Sequence, residues 1–435
     1  MNTDADLERL AKGSLQEHVA AEFSRSRSRV LVGLRVGTSE SYAATGAQSR
    51  SAPSEQLFHT GCLSKLITAS LLRRAARERA ISLEAQILPL LDRKTPRAGL
   101  LAGVNLRHLM EHTHGLDASG IESLPYRSDG LLDGEAFLSS LSGVRISPPG
   151  ALYSYGHTGA WLAAILLEQL EHLPYAQVLE RRFHLNHKCK HDDKGTHLGP
   201  ACPATGGSLA VRLCDYMRFL REEMRLDGTG LVDRETAAHV YAKTVPRAGW
   251  NAFDQGNYRG WSYYGSGWFG HTSVLPGTPA AVRINPARQI AVVIASDGLS
   301  PQLAASRLFA RLMPGLLPKA PRRLTDKQAR ELDLTRYEAH YGDQRTTFRT
   351  RPGPGLTISI EAHYRGPVQA HSSAAASLHP AENEAFVAKP PDPCLSRFYQ
   401  FLHPMNGGFQ YLWDGESLYP RLTEGPDSRC RQSPA

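Results

Sequence analysis

Strand-forming and helix-forming patterns are distributed along this 435-residue chain so that the strands of one sheet lie far apart in sequence. Arg29-Val-Leu-Val-Gly-Leu-Arg-Val36 is rich in β-branched residues and reads as a strand, preceded by an amphipathic helix over Asp4–Phe23. Residues from about 80 to 225 carry mostly helical patterns, among them Gly159–Leu173 and Val211–Met224, with loops rich in Gly, Pro and Ser between them. Strand patterns return at Ser262–Phe269, Ala280–Ile284 and Gln289–Ala295, and a helix is expected over Leu303–Met313. The order predicts an α+β fold: late and early strands close one antiparallel sheet flanked by helices, and an all-helical lobe is inserted between them.

A second domain follows. Between Pro314 and Arg323 three prolines and several basic residues interrupt all periodicity, which marks a linker. Boundaries are expected at 1–318 for the first domain, 319–328 for the linker and 329–435 for the second. Short alternating runs at Leu356–Ile360, Arg397–Leu402 and Phe409–Trp413 predict a small antiparallel β-barrel or sandwich. Asp414-Gly415 before Ser417-Leu-Tyr419 is a hairpin signal. No internal repeat is visible, and only Ser372–Ser377 approaches low complexity.

Chemistry concentrates at Phe58-His-Thr-Gly-Cys62-Leu-Ser-Lys65-Leu-Ile-Thr-Ala-Ser-Leu-Leu72. Leu66, Ile67, Ala69, Leu71 and Leu72 recur at helical spacing, so Cys62 and Lys65 are expected one turn apart on the same side at the start of an amphipathic helix. The positive end of a helix and a neighbouring ammonium both favour an anionic sulfur, the reactive form of cysteine.

Further motifs follow in order: Leu109-Met-Glu-His112-Thr-His-Gly115-Leu116, Pro149-Gly150, Tyr155-Gly-His157, Gly206-Gly207-Ser208 with Asp215 downstream, and His271-Thr-Ser273. Together with Cys62-Leu-Ser-Lys65 they resemble the serine beta-lactamase and penicillin-binding-protein superfamily, in particular its class C beta-lactamase, esterase and D-aminopeptidase branch. The resemblance covers most of the first three quarters of the chain. It implies a beta-lactamase/transpeptidase-like fold with an SxxK nucleophile motif at Cys62–Lys65, a YxN motif at Tyr155–His157 and a KTG or HxG strand at His271–Ser273. The second domain resembles the lipocalin-like C-terminal domain of some esterase and D-aminopeptidase relatives. Three departures stand out: cysteine in place of the nucleophilic serine, histidine in place of the YxN asparagine, and Ser273 in place of a glycine.

The implied chemistry is acyl transfer. Cys62 would attack a carbonyl and form a thioester acyl-enzyme, Lys65 would hold the sulfur's charge, and Tyr155 would shuttle the proton. Backbone N–H groups of Cys62 and Val274 would form the oxyanion hole, His271 would orient Tyr155 and contact substrate, and Thr272 and Ser273 would bind substrate. His157 either polarises Cys62 or protonates the leaving group, or is a loop residue satisfied by backbone. The products of such an enzyme are those of a hydrolase or acyltransferase acting on an ester, thioester or amide. The alternative is a catalytically silent binding protein of the same fold.

Composition narrows the partners. The net charge is +8, yet the basic residues are dispersed and no RNP-type or zinc-finger string occurs, so no nucleic acid partner is expected. No apolar run approaches the roughly 20 residues that span a bilayer, so no membrane partner is expected either. The opening Met-Asn-Thr-Asp-Ala-Asp-Leu-Glu has no leader pattern, and the expectation is a cytoplasmic protein acting on a small-molecule or peptide acyl substrate, free or carrier-bound. Cysteines at 62, 189, 202, 214, 394 and 430 have no framework spacing and are expected to be thiols. His184, His187, Cys189, His191, Asp192, Asp193, His197 and Cys202 crowd one segment, but the spacing matches no zinc pattern. No metal and no cofactor is expected. His112 and His114 are expected to cap and pack the helix ending at Gly115.

Overall fold

Val30–Val36 (β1) alternates between two hydrophobic cores, and that alternation organises the first domain. A computed structural model describes residues 3–24, 28–46, 51–91, 97–116, 132–141, 145–183, 188–189, 204, 209–245, 255–273, 279–297, 322–342, 346–364, 373–388, 398–414 and 417–422. Val30, Val32 and Leu34 face a layer formed by the N-terminal helices α1 (Thr3–Arg9) and α2 (Leu15–Glu22), through Leu7, Leu10, Leu15 and Val19. Leu31 faces the opposite side, where the larger core lies. Gly33 also faces that side, and a Cβ there would meet the Met217 side chain at 3.1 Å, so the glycine lets the Leu213–Glu223 helix lie against the strand.

The expected single helix over Asp4–Phe23 is broken. Gly13 adopts φ +147°, outside the helical region, and the chain bends there so that both short helices follow the sheet surface. Ser39–Thr45 (β2) pairs with β1 at the sheet edge and was not anticipated, because its polar SESYAAT sequence carries little β signal.

The chain then forms the short strand Leu57–His59 (β3) and enters the lobe through helix α3 (Ser64–Glu78). Within the lobe, the strands Lys188–Cys189 (β4) and Leu209–Arg212 (β5) pair with each other, and β5 also pairs with β3. The helical pattern at Val211–Met224 therefore begins one element late, with β5 preceding the Leu213–Glu223 helix. On return the chain makes Gly256–Tyr258 (β6), Trp261–Gly265 (β7), Trp268–Ser273 (β8), Ala280–Asn285 (β9) and Ile290–Ser296 (β10). The expected strand Ser262–Phe269 is in fact two, because Ser266 and Gly267, both at positive φ, turn the chain between β7 and β8. The seven-stranded antiparallel sheet has the order β2-β1-β10-β9-β8-β7-β6. Early and late strands thus meet at β1 and β10, as the patterning predicts. The helix expected over Leu303–Met313 lies outside the described residues.

The C-terminal domain is an eight-stranded antiparallel meander: Ala339–Gly342 (β11), Thr346–Pro352 (β12), Ile358–Tyr364 (β13), Ser373–Pro380 (β14), Ala385–Ala388 (β15), Phe398–Met405 (β16), Gly408–Trp413 (β17) and Leu418–Pro420 (β18). A bridge between Tyr341 and Arg421 brings the end of β18 back to β11, so the sheet curls into a barrel. Tyr337, Phe348, Phe386, Tyr399, Phe401 and Phe409 fill its interior. Arg323, inside the expected 319–328 linker, bridges to Ala381 of the barrel domain. Thr325 then caps the short helix Asp326–Arg330. Asp414 holds the β17–β18 turn by accepting the Ser417 N–H at 2.7 Å.

Barrel and first domain share a polar and aromatic seam. Tyr153 packs edge-on against Trp413 with ring centres 6.1 Å apart, and Tyr411 donates to the Ile146 carbonyl at 3.0 Å. Among the described residues no helix is long and apolar enough to cross a membrane.

Candidate active site

Gly61-Cys62-Leu63 forms one tight helical turn immediately before α3, so Cys62 precedes the α-helix instead of opening it. Gly61 needs φ +49° for this turn, and Thr60 anchors it by donating its hydroxyl to the Leu209 carbonyl at 2.9 Å. Ser64 is fully buried with its hydroxyl 2.6 Å from that of Thr60, which removes it as a rival nucleophile beside Lys65. Cys62 is half-buried with a free thiol. Helix α3 is buried almost all round, not along one face, and each of Leu66, Ile67, Leu71 and Leu72 contributes about 1.5–3 kcal/mol by leaving water. That burial holds the turn carrying Cys62 in place.

Lys65 is 4 % exposed, so its ammonium needs partners that replace water. It donates to the Tyr155 hydroxyl at 2.9 Å and lies 4.6 Å from the centre of the Tyr155 ring. The same hydroxyl is 3.0 Å from His271 Nε2, giving a continuous Lys65–Tyr155–His271 path. Tyr155 is seated between His112, at 4.8 Å between ring centres, and His271, at 5.4 Å. Its own carbonyl accepts from the Ser417 hydroxyl at 2.9 Å, and Ser154 accepts the Leu418 N–H at 3.1 Å. The β17–β18 turn of the barrel therefore holds the loop that carries Tyr155.

His271, Thr272 and Ser273 lie on β8, where alternation sends Thr272 away from the face shared by His271 and Ser273. The Thr272 hydroxyl accepts from Arg283 Nη2 at 3.3 Å, and Arg283 Nη1 also donates to the His271 carbonyl at 3.1 Å. Of the expected substrate-binding pair, only Ser273 turns its side chain toward Cys62. Ser273 Oγ accepts the Cys62 N–H at 3.2 Å. His157 begins the Thr158–Glu171 helix, where its ring caps no helix N–H, although its carbonyl accepts from Trp161. Val274 lies outside the described residues, as do Gly206, Gly207 and Ser208. The His184–Cys202 cluster lies there too, apart from the backbone of Cys189. Among the described residues no group of His, Cys, Asp or Glu is arranged to hold a metal.

The family model for beta-lactamases matches residues 25–312, which carry the sheet, the helical lobe and all of the residues above except the barrel's. The chain belongs to the beta-lactamase family. Solved structures extend the likeness beyond that segment. A structure of SurE with D-Leu has 19% identity and a TM-score of 0.71, covering 95% of this chain and 99% of its own. An octameric penicillin-binding protein homologue from Pyrococcus abyssi has 14% identity and a TM-score of 0.54 over 94% of this chain and 99% of its own. A D-amino acid amidase from Ochrobactrum anthropi SV3 complexed with D-phenylalanine has 19% identity and a TM-score of 0.53 over 71% and 99%. These likenesses confirm a beta-lactamase/transpeptidase-like fold. No curated protein matches.

Several residues that support this beta-lactamase-family site were not singled out from sequence. Arg283 stacks over the Tyr264 ring at 3.7 Å while gripping β8, a role no local motif announces. Gly260 has φ +91°, and a Cβ there would meet the Ala69 Cβ at 2.6 Å, so the β6–β7 turn presses on α3 one turn beyond Lys65. The Leu106–Met110 helix is capped at its start by an Asn105–His108 box and ends well before Gly115: His112 caps it at φ +56° and the Thr113 N–H donates back to the His108 carbonyl at 3.0 Å. His114 instead accepts the Leu116 N–H at 3.1 Å through Nδ1, and Gly115 is required because a Cβ would collide with the Ser147 carbonyl at 2.1 Å.

Glu111 joins these pieces, accepting the Arg259 N–H at 3.1 Å and Arg107 Nη1 at 3.3 Å while 1 % exposed. Burial outweighs these partners and pushes its carboxyl up to about 7. A raised acid pKa means the folded state holds the extra proton, so stability is lost as pH rises from the unfolded carboxylate range through about 7. At most this is of order 3 kcal/mol. Glu111→Gln, which keeps an acceptor for Arg259, should raise the urea midpoint at pH 8 and change it little at pH 5. An equal shift at both pH values would contradict the assignment. Buried His114, lowered to about 4 by desolvation, acts in the opposite sense and removes stability as pH falls from 6.5 toward that value.

Proposed function

We propose that this protein forms an acyl-enzyme on Cys62 and transfers the acyl group to water or an amine. The Lys65–Tyr155–His271 path, one helical turn beyond a half-buried free thiol, carries this reading. The Cys62 sulfur attacks the carbonyl carbon of an ester, thioester or amide, and its proton passes to the Lys65–Tyr155 pair. The carbon–leaving-group bond breaks, and the departing oxygen, sulfur or nitrogen takes a proton from Tyr155. The resulting thioester is attacked by water or an amine, which gives its proton to the same pair while the C–S bond breaks and Cys62 is restored. Lysine so placed suits a thiol well: sulfur needs a cation beside its anion more than it needs a strong base.

Thioesters react with amines, relative to water, more readily than oxygen esters do, so cysteine at this position favours transfer over hydrolysis. A small-molecule or peptide donor, free or carrier-bound, fits this chemistry. Solved relatives named for D-Leu, D-phenylalanine and D-alanine direct attention to donors ending in a D-residue.

The test offers N-acyl-D- and N-acyl-L-aminoacyl thioesters with and without an amine acceptor, and follows thiol release and amide formation. The expected result is turnover with amide product that iodoacetamide abolishes. Binding without thiol release, indifferent to alkylation, would identify a silent binding protein instead. His157 has a separate prediction. As a group that polarises Cys62 or protonates the leaving group, it should lose about 10²-fold in acylation rate as both His157→Ala and His157→Asn, as general acid–base groups do. An unchanged acylation rate in stopped-flow would restrict it to starting the helix.

A further inference from the structure

Ser273 Oγ occupies the acceptor position on the Cys62 N–H, the position an acyl oxyanion would need. The serine is fully buried, and its hydroxyl oxygen lies 3.2 Å from Cys62 N. Its strand is firmly registered, since Ser273 opposes Ala280 and His271 opposes Val282 in the antiparallel ladder. The turn that presents the Cys62 N–H is held from the other side by Thr60, whose hydroxyl donates to the Leu209 carbonyl on β5. Hydroxyl and N–H are thus brought together by two independently fixed elements, and the contact is built into the fold.

We infer that Ser273 is a removable stopper of the oxyanion hole, which makes the site discriminate against neutral carbonyls in the ground state. This rests on the proposed acylation of Cys62. A serine hydroxyl and a neutral carbonyl oxygen are comparable acceptors, so a bound substrate gains little by displacing Ser273. An oxyanion is different, because a charge-assisted hydrogen bond is roughly twice as strong as a neutral one. The exchange therefore becomes favourable only as charge develops on the carbonyl oxygen. Deleting the hydroxyl adds the Cys62 N–H bond to the ground state and the transition state alike, and an interaction made in both lowers KM without raising kcat. With the stopper present, the Cys62 N–H is kept for the transition state.

Ser273→Ala and Ser273→Gly both unstop the hole, and Ala keeps the strand geometry as a guard against misfolding. With an aminoacyl thioester donor, KM should fall about five- to tenfold in both variants while kcat changes less than twofold. A fall in kcat of tenfold or more with KM unchanged would overturn the stopper and make the Ser273 hydroxyl a donor to the oxyanion. Unchanged constants in a variant with wild-type thermal melting would show that the hydroxyl does not stand in the way. Intact-mass detection of the wild-type acyl adduct separates the two levels. If wild type forms no adduct, the acylation reading fails and the stopper with it; if wild type is acylated and the variants match it in both constants, the stopper alone fails.

Discussion

On the proposed mechanism, Cys62→Ala will lose turnover of an aminoacyl thioester by at least about 10³-fold and will retain substrate binding, because it removes the atom proposed to form the covalent intermediate while leaving its supports untouched. The Thr60 anchor, the buried Ser64 and the packing of α3 involve no atom of the cysteine side chain, so the turn should persist. Cys62→Ser is the more discriminating variant. A serine hydroxyl is far from ionised at neutral pH and must lose its proton to the Lys65–Tyr155 pair during attack. We expect it to keep a small fraction of activity, a few per cent or less, with a steeper rise at alkaline pH than wild type. Stopped-flow thiol release across pH 6–10 measures both effects. Full activity in Cys62→Ala would place the nucleophile elsewhere, and full activity in Cys62→Ser would mean that the reaction does not need sulfur.

The second large effect is expected at the proton path. Lys65→Met removes the buried ammonium that donates to Tyr155 and that the proposed mechanism uses to hold the sulfur's charge, and Tyr155→Phe removes the hydroxyl shared with His271. Each should reduce kcat by about 10²- to 10⁴-fold, the usual range for a positioned acid–base group. The two losses should be strongly non-additive, since either change breaks the same path. The loss in Tyr155→Phe should also depend on the leaving group, being larger for an amide, which must be protonated to depart, than for a thioester. A loss equal for amide and thioester would mean that Tyr155 positions Lys65 and transfers no proton.

Elements whose signal is local were legible in the sequence. The β1 and β10 runs are β-branched and are interior strands of the sheet, and Asp414, from the expected hairpin signal, accepts the Ser417 N–H between β17 and β18. The motif spacing also brought Cys62, Lys65, Tyr155, His271 and Ser273 into one candidate list. What stayed illegible depends on pairing between distant segments. The edge strand β2 is polar and becomes a strand only because β1 offers it hydrogen bonds. The break at Gly13 joins two short helices whose apolar residues pack on β1, a tertiary fit that the local periodicity does not announce. Arg283 acts on β8 from a neighbouring strand, and Ser417 reaches the Tyr155 loop from another domain. The direction of Thr272 follows from strand alternation once β8 is known to run on to Ser273; the expected strand ended at Phe269, short of it.

The atom that carries the acyl group decides the mechanism. Wild-type protein should be quenched in acid within the first turnover of an aminoacyl thioester, digested, and sequenced by tandem mass spectrometry, with half the sample treated with neutral hydroxylamine. The acyl mass should appear on the peptide containing Cys62, localise to the cysteine and be removed by hydroxylamine as a thioester is. An adduct on any other side chain, or turnover with no adduct under conditions that trap a thioester, would contradict covalent catalysis by Cys62.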